Sequence, residues 1–343
     1  MTRPESFKVR VLGSTPATVD CGTEQPLLDA FLRSGVYLPN SCNQGTCGTC
    51  KVRLVSGTVK QPAPQLSVVS ADEQAGGFVL ACQASPTSDT TIELDAGTGP
   101  RHVLRDLTGT VAQISAIAAD TLTLFVDVGD EFEFTAGQYV EIRVPGTDAV
   151  RQYSMANRPG NALELHIRRV SGGRATDGWI FASLSHGDTI ELCGPWGDFV
   201  YAEDDGGAPI VMLGGGTGLA PLKAIALEAL AAQPDREITV YHGVRTRAEL
   251  YDVEFWEGLT ADHSGVRYVP CLSRETWDGR SGYVGDALLE DFASLRGHVA
   301  YLCGPAAMVD AGVKACKRRR MAGRAIRREK YVPATDSAEA LPV

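Results

Sequence analysis

Three cysteines and three glycines crowd into eighteen residues, NSCNQGTCGTCKVRLVSG, from Asn40 to Gly57. Cys42, Cys47 and Cys50 follow C-x4-C-x2-C, and Cys82 comes 31 intervening residues later. Four thiolates at this spacing are a pattern that holds a [2Fe–2S] cluster. Two irons and two sulfides need four thiolate ligands, two per iron. A tight loop brings in three, and a separate segment closes the cage. Sulfides and thiolates are negative, so backbone N–H groups have to point inward at them. Gly45 and Gly48 let the backbone turn closely enough to do so. Structural zinc favours C-x2-C knuckles in pairs, whereas only one C-x2-C is present here and the rest is asymmetric. Cys21, Cys193, Cys271 and Cys316 are scattered and read as packing residues.

A chain of 343 residues exceeds one ordinary core, so two or three domains are expected. The N-terminus MTRPESFKVR lacks the apolar centre of a signal peptide, which implies a cytoplasmic address. In that reducing setting, clustered cysteines signal metal or redox chemistry more often than disulfides. No apolar run reaches about 18 residues, so no membrane span is expected. The net charge of −10 is uneven. Acidic against basic residues count 9 to 7 over 1–97, 16 to 8 over 98–205 and 17 to 17 beyond. The one basic cluster, KACKRRR from Lys314 to Arg320, lies on an expected helix and reads as a solvated face. No nucleic-acid partner is implied.

Three segments follow from the patterning. Residues 1–97 read as short strands with one early helix, PLLDAFLRSG, which has Pro26 at its start and Gly35 at its end. A small mixed α/β sheet fits that order, and Gly97 to His102 reads as a linker. Residues 98–205 carry strands spaced as in a closed antiparallel barrel, interrupted by a helix near TDGWIFASL. Residues 206–333 alternate apolar strands with helices, which means a parallel sheet covered on both faces. Its ligand belongs at the C-terminal ends of the strands. Residues 334–343 read as a loose tail.

Two of these segments carry phosphate-binding patterns. RQYS, Arg151 to Ser154, opens a barrel strand, and GGRAT, Gly172 to Thr176, opens the helix after it. An arginine, hydroxyls and a glycine-led helix start make an anion site suited to a pyrophosphate. MLGGGTGLAP, Met212 to Pro221, lies between a strand and a helix, where small residues let the backbone approach a phosphate. CGPAAM, Cys303 to Met308, follows the last predicted strand at the same end of the sheet.

Residues 1–97 resemble a plant-type ferredoxin with the α+β β-grasp fold. Residues 103–333 resemble the ferredoxin–NADP reductase superfamily, in which an antiparallel Greek-key β-barrel binds flavin and an α/β parallel-sheet domain binds the nucleotide. The resemblance implies FAD at Arg151, Tyr153 and Ser154, with Gly173, Arg174 and Thr176 near the pyrophosphate. His166, Ile167 and Arg168 would lie on the strand beside the flavin. It further implies a dinucleotide held by Gly214, Gly215, Gly216, Thr217 and Gly218 and by Cys303, Gly304, Pro305 and Met308. REKYVP, Arg328 to Pro333, is similar to the family's terminal aromatic segment, which implicates Tyr331 over the flavin ring with Glu329 beside it. Ser154, Cys303, Glu329 and Tyr331 thus form the implied catalytic set. NADPH-dependent members hold the extra phosphate after the second strand of the sheet. Here that place offers Arg245, Thr246 and Arg247, and NADH is the expected coenzyme with NADPH left open.

The whole chain resembles the reductase component of bacterial multicomponent oxygenases. Two electrons would pass from NADH to FAD as a hydride, then singly to the cluster and to an oxygenase docked near the cysteine loop. YHGVRTRAELYD and VSGGRATDGW look most like phenol and toluene monooxygenase reductases, which serve di-iron enzymes. A Rieske dioxygenase or a sugar-deoxygenating dehydratase is the alternative partner. The chain is expected to be a monomer by itself.

Overall fold

The computed structural model describes residues 6–331 apart from 14–15, 65–66, 95–98, 100–101, 130–131, 161 and 203–204. Most of the expected linker at Gly97 to His102, Pro333 and the 334–343 tail lie outside the described residues. The chain forms two compact units, Met1–Leu107 with Cys193–Asp198, and Thr108–Leu192 with Phe199–Val343.

The first unit contains β1 (Ser6–Leu12), β2 (Ala17–Gly22), α1 (Leu27–Arg33), β3 (Lys51–Ser56), β4 (Val59–Lys60), α2 (Ala71–Ala75), β5 (Phe78–Leu80), β6 (Ser85–Pro86) and β7 (Thr90–Glu93). Its main sheet runs β2-β1-β7-β3-β5. β1 and β2 form the expected antiparallel hairpin, and β7 inserts parallel to β1. α1 starts after Pro26, whose fixed φ suits a helix start, and buries Leu27, Leu28, Ala30, Phe31 and Leu32 on the sheet. Gly35, at φ +70°, ends it.

The barrel strands are β8 (Arg105–Ala118), β9 (Thr121–Asp127), β10 (Tyr139–Arg143), β11 (Val150–Ser154), β12 (Ala162–Arg168) and β13 (Thr189–Trp196). They are ordered β11-β10-β13-β8-β9-β12, and an antiparallel bridge between Met155 and Leu165 joins the ends. The helix expected near TDGWIFASL is a five-residue π-helical turn, Thr176–Ile180. Phe181 N–H donates to Thr176 O, and Thr176 Oγ1 ties back to the Val170 backbone, so the turn stays wide and short.

The nucleotide sheet comprises β14 (Ile210–Gly215), β15 (Ile238–Val244), β16 (Val266–Leu272), β17 (Arg280–Ser281), β18 (Val299–Pro305) and β19 (Ile326–Tyr331), ordered β17-β16-β15-β14-β18-β19. All its strand pairs are parallel. Alternate residues of each strand feed two cores, as the period of two requires. Ile210 and Met212 pack with α3 (Leu219–Ala232) and with Trp256 of α4 (Val253–Asp262). Val211 and Leu213 pack with α5 (Val284–Asp291) and α6 (Ala306–Arg318). The chain runs outward from β14 through β15 to β17, then returns to place β18 on β14's other side. That switch point opens a crevice at the strands' C-terminal ends, between β14 and β18.

Candidate functional site

In the first unit the four motif cysteines gather as two pairs. Cys50 Sγ and Cys82 Sγ lie 3.1 Å apart, and Cys42 and Cys47 are hydrogen-bonded to each other. No disulfide joins any of the nine cysteines. In each pair one thiol is lowered by the hydrogen bond from its neighbour while the neighbour is raised, with Cys42 and Cys82 the lowered members. Backbone N–H groups point at the sulfurs. Gln44 N–H donates to Cys42 Sγ and Thr49 N–H to Cys47 Sγ, each at 3.4 Å. Gly45 and Gly48 adopt φ +76° and +79°, which only glycine takes without strain. A Cβ on Gly45 would also come within 3.0 Å of Gln83 Cγ. Paired sulfurs inside a shell of N–H donors fit a [2Fe–2S] cluster with two thiolates per iron. Cys47 is exposed and Cys50 and Cys82 are buried, so the loop has one wet side. Its stem is held by residues that sequence reading did not single out. Tyr37 OH and Asn40 N–H both donate to Asp198 Oδ2 at 2.9 Å, and Gly197 N–H donates to Asn40 Oδ1 at 2.7 Å.

In the second unit the crevice between β14 and β18 is lined by two interlocked turns. Gly214 pairs with Cys303 across β14 and β18, and Cys303 with Glu329 across β18 and β19. The turns touch so closely that side chains are excluded. A Cβ on Gly218 would sit 2.1 Å from Cys303 O, and one on Gly215 would sit 2.8 Å from Pro305 Cδ and 2.9 Å from Met308 Cε. Gly304, at φ +137°, would collide with Gly215 O at 2.8 Å. Gly216, at φ +54°, completes the turn before Thr217 and Gly218. Small residues therefore line the place where a dinucleotide backbone can approach.

Ser154, Cys303, Glu329 and Tyr331, spread over 177 residues of sequence, converge at one point. Ser154 Oγ lies 3.3 Å from Tyr331 OH and 3.5 Å from Glu329 Oε2, and the Cys303 thiol lies 3.8 Å from the same carboxylate oxygen. Tyr331 OH also donates to Thr217 O at 3.2 Å. Burial pushes the Cys303 thiol and the Tyr331 phenol well above their ordinary ranges, so both stay neutral donors. Glu329 reaches Ser154 and Cys303 because β19 adds a sixth strand beside β18.

On β11, Arg151 and Tyr153 are half-buried and pair across to Ile142 and Val140 of β10. Gly173 is close-packed, since a Cβ there would come 2.9 Å from Val170 O, while Arg174 is exposed. The His166 imidazole is committed elsewhere, because its Nε2 lies 2.8 Å from Glu164 Oε1. Ile167 is buried in the barrel core. Arg168 ends the strand, with Nη1 3.7 Å from where a Cβ on Gly216 would stand. At the second strand of the nucleotide sheet, Arg245 is already paired. Its Nη2 is 2.5 Å from Glu249 Oε1, and Arg247 N–H donates to Glu275 Oε2 at 2.8 Å.

Residues 9–87 match the 2Fe-2S iron-sulfur cluster binding domain, 108–201 the oxidoreductase FAD-binding domain and 212–314 the oxidoreductase NAD-binding domain. The reductase subunit of an aromatic O-demethylase from Amycolatopsis sp. is 52% identical over 324 residues, 92% of this chain and 97% of that one. The reductase component of phenol 2-monooxygenase from a Pseudomonas sp. is 37% identical over 337 residues, 94% of each. The crystal structure of an Amycolatopsis cytochrome P450 reductase aligns with TM-score 0.89 and 50% identity, covering 95% of this chain and 99% of that one.

Proposed function

The chain belongs to the reductase components of multicomponent oxygenases, which carry electrons from NAD(P)H through FAD and a [2Fe–2S] cluster, and on that premise we propose that its acceptor is an aromatic O-demethylase of the cytochrome P450 kind. The observation that carries this reading is the 52% identity, over nearly the full length of both chains, to an aromatic O-demethylase reductase subunit. A phenol 2-monooxygenase reductase matches a similar span at 37%. The Amycolatopsis structure that aligns at 50% identity is a cytochrome P450 reductase, which supports a haem acceptor over the di-iron hydroxylase expected from the shorter stretches.

Bound FAD would take two electrons at once from the coenzyme, and the cluster would release them singly. The residues supply position and polarity. Arg151, Gly173, Arg174 and the backbone at Thr176, whose hydroxyl is bonded to Val170, would hold the FAD pyrophosphate, and Tyr153 and Ser154 its ring and ribityl. Ile167, Arg168 and the backbone at His166 flank it. The turns Gly214–Gly218 and Cys303–Met308 hold the dinucleotide. Ser154, Cys303, Glu329 and Tyr331 surround the reacting atoms, where neutral thiol and phenol groups donate without adding charge. NADH is the coenzyme, a reading supported by the Arg245–Glu249 ion pair. The partner docks over the exposed side of the cysteine loop at Cys47, and the reductase itself is a monomer. With four cysteines assigned to the cluster, the other five, none of them in a disulfide, suit the cytoplasm. Among the described residues no helix is long and apolar enough to cross a membrane.

The test is anaerobic mixing of NADH, this reductase and the P450 encoded nearest to it, under carbon monoxide. The ferrous–carbonyl Soret band should grow within seconds. A P450 that stays ferric, while a di-iron hydroxylase from the same genome is reduced, ends the proposal.

A further inference from the structure

α3, LAPLKAIALEALAA, begins directly after the coenzyme turn and buries nearly every side chain of its first two turns. Lys223 is the single basic residue in that run, and it too is buried. Its Nζ lies 2.7 Å from Glu164 Oε1 and 2.9 Å from Asp252 Oδ2. The ammonium also sits 4.4 Å from the centre of the Phe255 ring. Glu164, His166 and Asp252 bring one ligand atom each within 4.8 Å of one another, a spacing able to hold a metal ion. The Lys223 ammonium, placed between the two carboxylates, offsets one of their two negative charges where a metal ion would otherwise sit.

Glu164, His166 and Arg168 occupy alternate positions of β12 and so share one face. Each of the three meets the nucleotide half of the same unit. Glu164 takes Lys223, and His166 meets the Tyr251 ring edge-on at 5.1 Å. Arg168 Nη2 lies 4.0 Å from Glu249. Tyr251 then reaches the coenzyme turn itself, donating its hydroxyl to Gly216 O at 3.3 Å. Asp252, next in sequence, stands at φ +52° to place its carboxylate on Lys223 and to start α4. A continuous chain of contacts therefore runs from the flavin-side strand, through a buried ion network, to the carbonyl of Gly216.

We propose that Lys223, with Glu164, His166, Tyr251 and Asp252, is a positioning lock that fixes the coenzyme turn at transfer distance from the flavin-side strand β12. In the reaction it serves, a hydride carrying both electrons leaves the reduced nicotinamide for the flavin, giving oxidised coenzyme and reduced flavin. The lock acts through side chains that face one another and not the reactants. It sets how closely the two halves are held, and a misplacement of about 1 Å can cost roughly a hundredfold in rate. The proposal rests on assigning the glycine turn to the coenzyme and is independent of which oxygenase accepts the electrons. Protection of peptide 212–221 from exchange on adding NAD⁺ to the wild-type protein tests that assignment, and the variants test the lock.

The experiment is rapid-mixing reduction of the FAD-loaded protein by NADH, paired with hydrogen–deuterium exchange of peptides over 162–168 and 212–221. Lys223→Met should lower the limiting rate of flavin reduction at least about tenfold, with half-saturating NADH changed less than about threefold and FAD content intact. Exchange should rise in both peptides and not in the cysteine-loop peptide. Lys223→Arg, which keeps the charge, should recover most of the rate. Tyr251→Phe removes only the bond to Gly216 O and leaves the ions in place. It should lower the limiting rate several-fold and raise exchange over 212–221 alone. A wild-type limiting rate in Lys223→Met, or a loss carried by NADH affinity or FAD content, overturns the lock. If Lys223→Met does not fold, Tyr251→Phe decides, and a wild-type limiting rate with unchanged exchange there overturns it equally.

Discussion

Arg245 stands at the C-terminal end of β15, where a phosphate on the adenosine ribose would call for a free cation. Glu249 removes that freedom. Its carboxylate accepts from Arg245 Nε at 2.7 Å and from the Arg245 backbone N–H at 3.1 Å. Burial alone would raise the Glu249 carboxyl, but the hydrogen bonds and charge of Arg245 hold it below its usual range, so it stays anionic. On the proposed coenzyme path, a phosphate would meet an arginine whose charge Glu249 already balances, whereas a ribose hydroxyl would find a carboxylate able to accept from it. Glu249→Gln should therefore raise kcat/KM for NADPH about tenfold, or ~1.4 kcal/mol. NADH efficiency should stay within about threefold of wild type. Steady-state rates with both coenzymes measure this, and NADPH efficiency that stays flat or falls would show that Arg245 and Glu249 lie off the coenzyme path.

At the scale of elements, β12 is where burial and charge meet. Burial of Glu164 by itself disfavours its anion, yet His166 and Lys223 together hold its carboxyl down to about 2, against an ordinary 4.5. The folded value is the depressed one, so the unfolded chain binds the extra proton first. The stability this residue contributes is complete above about pH 4.5 and is lost as pH falls toward about 2, on the order of 3 kcal/mol in all. Glu164→Gln should therefore be less stable than wild type near neutrality. The gap should narrow steadily as urea unfolding curves are recorded from about pH 5 down to about pH 3. A gap that stays constant with pH would mean that Glu164 is not held as an ion. The same strand shows what a sequence makes legible. The iron–sulfur segment, the glycine turn after β14 and the doubly covered sheet could be read because C-x4-C-x2-C, a glycine run and strand periodicity are local patterns. The lone lysine in LAPLKAIALEALAA and the polar alternation of ELHIR were signals as well. Their partner Asp252 lies 29 residues beyond Lys223 and 88 beyond Glu164, and no local pattern joins them. β19 was hidden for a similar reason. IRREKY carries four charges, and only its place beside β18 makes it a strand. The helix expected at TDGWIFASL turned out as a π-helical turn because Thr176 spends its hydroxyl on the Val170 backbone, a contact that sequence spacing does not reveal.

For the whole molecule, the order of the matched segments dictates the order of electron flow. The coenzyme delivers a pair, and a [2Fe–2S] cluster accepts one electron at a time, so the flavin has to lie between them. The cysteine loop belongs to the first compact unit, and the turns Gly214–Gly218 and Cys303–Met308, with Ser154, Glu329 and Tyr331, belong to the second. Damage to the loop should therefore leave flavin reduction intact and stop only what leaves through the cluster. Among the four proposed ligands Cys47 is the one to change, because it is the exposed one and the positive-φ turns at Gly45 and Gly48 do not depend on its side chain. Serine binds iron more weakly than a thiolate. Cys47→Ser should accordingly lose the EPR signal of the reduced cluster, and NADH-dependent reduction of cytochrome c should fall below roughly a tenth of wild type. NADH–ferricyanide activity, which draws electrons directly from the flavin, should remain within about twofold, with FAD content unchanged. Cytochrome c reduction that survives once the EPR signal has gone would place the exit at the flavin and overturn this order. Loss of both activities with FAD still bound would also contradict it, because the coenzyme half would then depend on a ligand in the other unit.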